Sequence, residues 1–164
     1  MTTRKTQAIR TLQAKRIPHT ATAYDEAGSF HSAEEAAAIL GVPLEAMYKT
    51  LVVLREAARS RPVIVMVPSD AQLDLKLLAQ ALGEKKLRMA TQREAEQLTG
   101  MQAGGISVLG LKRPAAFDIL LDGRARDLPT IHISAGERGI EIALRPADLV
   151  ALTGAKYVSA TKHM

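Results

Sequence analysis

The spacing of apolar positions changes along the chain, and each change marks an element. Ala8, Ile9 and Leu12 lie at helical spacing within Arg4–Lys15 and predict a helix that Pro18 closes. From His19 to Asp25 the period falls to two, with Thr20, Thr22 and Tyr24 on one face, and predicts a strand. Ser32 and Glu35 form a capping box before Ala33–Leu40, and Gly41 and Pro43 stop that helix. Lys49 and Thr50 stand directly before an unbroken apolar run, Leu51–Leu54, which reads as a strand buried on both faces. The charged turn Glu56–Arg61 leads to a second run, Val63–Val67. Two β-branched runs joined by a short polar connection predict an antiparallel pair.

After Ser69-Asp70 turns the chain, Leu73–Leu82 has helical spacing closed by Gly83, and Lys86–Met89 reads as a short strand. Thr91 and Glu94 supply another capping box, for a helix ending at Leu98 before Gly100. Phe117–Leu121 reads as a strand followed by a hairpin-type turn at Asp122-Gly123. Thr130–Ser134 and Ile140–Leu144 read as strands joined across Ala135–Gly139. Pro146 opens a helix through Leu152 that Gly154 caps, and Lys156–Ser159 forms a last strand. Thr161–Met164 is expected to fray. With no repeat, low-complexity tract or linker, residues 1–164 are expected to form a single domain of the α+β class, its sheet mixed and mostly antiparallel.

Composition narrows the chemistry. A chain of 164 residues with 47% hydrophobic and 24% charged positions can bury a sizeable core. Two Phe, three Tyr and no Trp make that core aliphatic and leave no aromatic platform for a long single strand of bases. The absence of cysteine excludes a disulfide framework, a thiolate zinc site and a cysteine nucleophile, and it agrees with a cytoplasmic location. No signal-peptide segment and no apolar window of about 18 residues are present, so no membrane partner is expected. The net charge of +5 favours anionic partners, nucleic acid first, but equally describes a basic surface that keeps a protein soluble.

Conventional catalytic constellations are missing. His19, His31, His132 and His163 show neither helical i, i+4 pairing nor HExxH spacing. Ser107 and Ser134 lack a nucleophile elbow and a local histidine. Asp25-Glu26 and Glu34-Glu35 read as turn and helix-surface charges. The stretch Thr99–Gly110 has neither Walker nor dinucleotide spacing. Its paired Gly104 and Gly105 suit a plain loop or a backbone that approaches a ligand closely. Lys49, at the mouth of a core, suits either a solvated strand start or an anchor for a polar substrate.

Four ordered blocks carry a resemblance. Tyr48-Lys49-Thr50-Leu51-Val52, Gln72-Leu73-Asp74-Leu75-Lys76, Thr99-Gly100 with Gly104-Gly105-Ile106-Ser107, and Ser134-Ala135-Gly136-Glu137-Arg138-Gly139 resemble the YbaK/EbsC family of trans-editing aminoacyl-tRNA deacylases, related to the editing domain of prolyl-tRNA synthetases. The resemblance covers roughly Ile9 to Ser159. It implies a mixed, partly closed, barrel-like sheet surrounded by helices. It also implies hydrolysis of mischarged tRNA, Cys-tRNA(Pro) first, with no cofactor and no metal. Prolyl-tRNA synthetase is the implied partner that supplies tRNA identity. Lys49 matches the family's essential lysine. Tyr24, Phe30, Thr50, Gly104, Gly105, Ile106, Ser134 and Gly136 match positions around its substrate. In the implied mechanism the substrate's own thiol attacks the ester, while Lys49 and N–H groups of the glycine loop hold the substrate. Two positions depart from the pattern. Val108 stands where proline is usual and Glu141 where aspartate is usual, which leaves Ala or Ser open as the amino acid cleared. A non-catalytic relative that binds tRNA or a synthetase is the other alternative.

Overall fold

Val63 to Pro68 forms strand β3, and all of its residues are buried. The two-residue period sorts its side chains between two cores. Val63, Val65 and Val67 point to a cluster with Leu78, Ala79 and Leu87. Ile64 and Met66 point to a larger one with Ile133, Ile142 and Leu149. A computed structural model describes residues 4–163. β3 is the middle of a five-stranded sheet ordered β5-β2-β3-β6-β9. Its companions are β2 (Tyr48–Arg55), β5 (Leu87–Met89), β6 (Asp118–Asp122) and β9 (Lys156–Val158). β2 and β3 pair antiparallel with Lys49 opposite Val67 and Thr50 opposite Met66, as the two β-branched runs predict.

A second sheet, β1-β8-β7, is built from β1 (Thr20–Ala23), β7 (Ile131–Ser134) and β8 (Ile140–Leu144). It is antiparallel throughout and covers the larger core. The described residues also form five α-helices: α1 (Gln7–Ala14), α2 (Ala33–Leu40), α3 (Leu75–Leu82), α4 (Gln92–Thr99) and α5 (Pro146–Thr153). Both predicted capping boxes form, at Ser32 with Glu35 and at Thr91 with Glu94. None of the described helices is long and apolar enough to cross a membrane.

The α+β class and the predominantly antiparallel pairing are as expected, with two parallel pairs, β3–β6 and β6–β9. The sheets, however, remain open. The second sheet meets the first at an isolated parallel bridge between Met47 and His132.

Three local expectations are corrected. The Asp122-Gly123 hairpin is absent, because β6 runs parallel to both of its neighbours and the chain must cross over. Instead Asp122, only 2% exposed, caps the 3-10 turn Gly123–Asp127. Leu73 belongs to a strand, β4 (Ala71–Leu73), and Asp74 rather than Leu73 opens α3. Thr161–His163 does not fray; it is β10, paired antiparallel with β4, and the Thr161 hydroxyl donates to Asp122 Oδ2 at 3.0 Å. Met164, the last residue of the expected tail, lies outside the described residues.

Candidate functional site

β2 is not buried along its whole length. Its far edge is covered by β7 at Met47 and by β5 at Val53–Arg55, and Thr50 lies between them. Met47 C=O accepts from Ser69 N–H on the β3 side, and Val52 C=O accepts from Ala90 N–H on the opposite side. Alternation along an antiparallel ladder therefore turns the Thr50 N–H and C=O toward the uncovered edge. A cavity of about 340 Å³ opens there.

Lys49, Thr50, Tyr24, Phe30, Ile106 and Ser134 line this cavity, and so does Gly104. One space thus gathers residues from four separate stretches of the chain. The Lys49 ammonium lies 3.8 Å from Glu34 Oε1 in the first turn of α2. That separation exceeds a charge-assisted hydrogen bond, so the pairing is loose and leaves the cation's donors free for a ligand. The Thr50 hydroxyl is buried without a partner. Ser134 Oγ accepts the Gly136 N–H at 3.2 Å, which leaves its own hydrogen available.

Glu141 closes the inner wall, opposite Ser134 in the β7–β8 register. It is 8% exposed, and its Oε2 has no partner. Burial pushes its carboxyl up to about 8, so at neutral pH it is predominantly the uncharged acid. Burial first, and Glu141 second, push the Tyr24 phenol up to about 12 and keep it protonated. The interior is therefore neutral and hydroxyl-rich, and the lysine supplies the positive charge.

The paired glycines of the loop occupy different places relative to the cavity. Gly105 does not line the cavity, and its N–H donates to Gln102 C=O at 2.8 Å. A Cβ there would stand 2.7 Å from the Arg138 nitrogen, so Gly105 is required for close packing of two backbones. Gly104 has φ +86°, and a Cβ on it would stand 2.8 Å from Phe30 Cδ2. Gly136, at φ +99°, sits behind Ser134 and outside the lining.

Three lining residues carry more than the sequence suggested. Glu34 read as a helix-surface charge but faces Lys49. Glu141 stood out only as a departure from a family pattern, and strand alternation alone could not reveal that its carboxyl is unpaired. His31 Nε2 lies 2.8 Å from Asp25 Oδ2, a pairing for which the spacing of the two residues offers no signal. Among the described residues no group of three or more His, Asp or Glu side chains is placed to hold a metal ion. A larger hollow of about 590 Å³, bordered by Leu109, Phe117, Leu152 and Lys156, contains none of the expected site residues. The smaller cavity is the better candidate because the unpartnered buried oxygens of Thr50 and Glu141 face it.

Comparison with known proteins places the whole chain in a family. Residues 28–152 match the family model described as an aminoacyl-tRNA editing domain. The chain is 33% identical over 160 residues to EbsC of Enterococcus faecalis, a proposed Cys-tRNA(Pro)/Cys-tRNA(Cys) deacylase, covering 98% of this chain and 95% of that protein. It is 37% identical over 98 residues to a proline–tRNA ligase of Nitratidesulfovibrio vulgaris, covering 58% of this chain and 16% of the ligase. Among solved structures, a proposed trans-editing enzyme for prolyl-tRNA synthetase superposes with a TM-score of 0.79 at 24% identity, covering 98% of this chain and 99% of that one, and shares the fold.

Proposed function

The chain belongs to the aminoacyl-tRNA editing domain family and is an aminoacyl-tRNA deacylase, and from that premise we propose that it clears cysteine from tRNA(Pro) in trans. The observation that carries this reading is the placement of Lys49 and the unpartnered Thr50 and Glu141 oxygens around one small cavity that contains no activated protein nucleophile. Ser134 Oγ and Ser107 Oγ each accept a backbone N–H, and neither bonds a histidine.

In such a site the attacking group comes from the substrate. The cysteinyl sulfur forms a bond to the ester carbonyl carbon, and the carbon–oxygen bond to the terminal ribose breaks. The products are a cyclic thiolactone and free tRNA, with the thiol proton ending on the ribose oxygen. Lys49 is the catalytic residue and offsets negative charge as it develops on the oxygens. Thr50 through its outward amide and hydroxyl, Ser134 through its free hydrogen and Tyr24 through its phenol hold the aminoacyl group. Gly104 and Ile106 shape the wall, and Gly105 and Gly136 pack behind it. The neutral Glu141 carboxyl, one methylene longer than an aspartate, narrows the inner end.

Residues 1–164 act as one editing domain in the cytoplasm, beside the translation machinery. Prolyl-tRNA synthetase supplies the tRNA identity that a dispersed charge of +5 does not read. A second reading, clearance of Ala or Ser, is favoured by Glu141, whose acid proton can bond a serine hydroxyl.

The test is release of amino acid from tRNA(Pro) charged separately with Cys, Ala, Ser and Pro. Cysteine is expected to be released fastest. Lys49→Ala is expected to slow release about 100-fold with an unchanged thermal midpoint. Preference for Ala or Ser transfers the function to the second reading, and no release from any of the four overturns the enzyme reading.

A further inference from the structure

Phe30 is the exposed aromatic residue of this molecule, at 56% of its full exposure, and it stands on the lining of the same cavity as Lys49. Its position is built from several directions. Asp25 accepts hydrogen bonds from Ala27 N–H at 3.0 Å, Ser29 N–H at 3.2 Å and the His31 ring at 2.8 Å, which ties the segment carrying Phe30 into one compact loop. That loop is fastened to the β7–β8 turn, because Gly139 C=O accepts from both Tyr24 and Asp25. One edge of the Phe30 ring lies against Gly104, where a side chain would collide with it. The Arg138 guanidinium lies 5.5 Å from the ring centroid, held by donation to Ala103 C=O at 2.7 Å.

An exposed aromatic ring with a fixed backing and a cation beside it is a poor surface toward water and a good one toward another π-system. We infer that Phe30, backed by Gly104 and flanked by Arg138, is the stacking platform for the terminal nucleobase of the tRNA. The inference rests on the proposed editing function and adds a nucleobase subsite to it. An ester held at Lys49 remains attached to the terminal ribose, whose base must leave the cavity at its mouth, where Phe30 stands. The other aromatic residues, Tyr24, Tyr48, Phe117 and Tyr157, are buried or partly buried, so the platform takes one base and not a run of them. The glycine loop and the Arg138 turn then serve a common purpose, holding one ring in place.

The chain contains no tryptophan, so F30W introduces a single indole at this position. Titration of F30W with adenosine 5′-monophosphate is expected to quench the indole fluorescence saturably, and ribose 5-phosphate is expected to leave it unchanged. F30W/R138Q is expected to bind the nucleotide more weakly. A second measurement compares kcat/KM for cysteinyl-adenosine with that for cysteine methyl ester, which lacks a base. F30L is expected to lower the ratio about tenfold, and F30W to retain it. Equal loss on both esters, or quenching as strong with ribose 5-phosphate as with the nucleotide, overturns the subsite. Saturable quenching of F30W by adenosine 5′-monophosphate together with a wild-type protein that deacylates no charged tRNA overturns the editing function instead, so the two failures are distinguishable.

Discussion

Glu141 shows how one residue can link stability to function. Its carboxyl is raised from 4.5 to about 8 by burial, so the folded protein keeps a proton that the unfolded chain releases. Between these values the folded state binds more protons than the unfolded one, and stability must fall as pH rises. Glu141→Gln preserves the shape and removes the titration. Thermal unfolding at pH 5, 7 and 9 should show a declining midpoint for the wild type and a flatter profile for the variant, with a difference of roughly 4 kcal/mol accumulated between pH 5 and pH 9. Parallel profiles would mean that water or a neighbouring group satisfies the Glu141 carboxylate. Lys49 is the contrasting case. Its identity as a candidate was legible in Tyr48-Lys49-Thr50, but its neighbour Glu34 was not, because a glutamate in the first turn of a helix has an ordinary role beside the macrodipole.

At the level of elements, local chemistry and long-range pairing separate cleanly. α2 runs over Ala33–Leu40 as its capping box and the left-handed Gly41 require. The helix carries Glu34 to the cavity, so its first turn matters to the site. Ser32→Ala removes the hydroxyl that accepts the Glu35 N–H and should cost about 1 kcal/mol, read as a lower denaturation midpoint at unchanged m-value. The same substitution should also raise KM for charged tRNA, because Glu34 is held less firmly opposite Lys49. The Asp122-Gly123 turn illustrates the opposite situation. Asp-Gly is a strong hairpin signal, yet the Asp122 oxygens accept Arg124 N–H, Ala160 N–H and the Thr161 hydroxyl, and the last two partners come from a distant part of the chain.

For the whole molecule, the open arrangement of two sheets is what creates the site. The edge of β2 is uncovered only because β7 and β5 cover it at different places. Arg55 locks the opposite end of β2, bonding Glu84 at 2.9 Å and Asp118 at 2.7 Å while 13% exposed. The C-terminal strand adds to the frame by pairing with β4 next to α3. Ending the chain at Ala160 should therefore lower the thermal midpoint by several degrees, as expected for losing ~1–2 kcal/mol in a domain of this size, while leaving the Lys49 region assembled. An unchanged midpoint would show that the β4–β10 pair contributes nothing to stability.

The sequence by itself determined the presence of the helices, the two capping boxes, the β2–β3 pair and the β7–β8 hairpin, since each depends on residues close together or on a two-residue period that burial enforces. The family resemblance of its blocks also marked out Lys49, Thr50, Tyr24, Phe30, Ile106, Gly104 and Ser134, which the fold brings to one cavity. Only the tertiary structure decided the open sheets, the pairing of Thr161–His163 with β4 and the close packing of Gly105 against the Arg138 backbone. It alone placed a neutral Glu141 at the inner wall and an exposed Phe30 beside Arg138 at the mouth. Those features depend on which strand edges remain uncovered and on the desolvation of individual groups, quantities set by contacts between distant segments and not encoded in any local pattern.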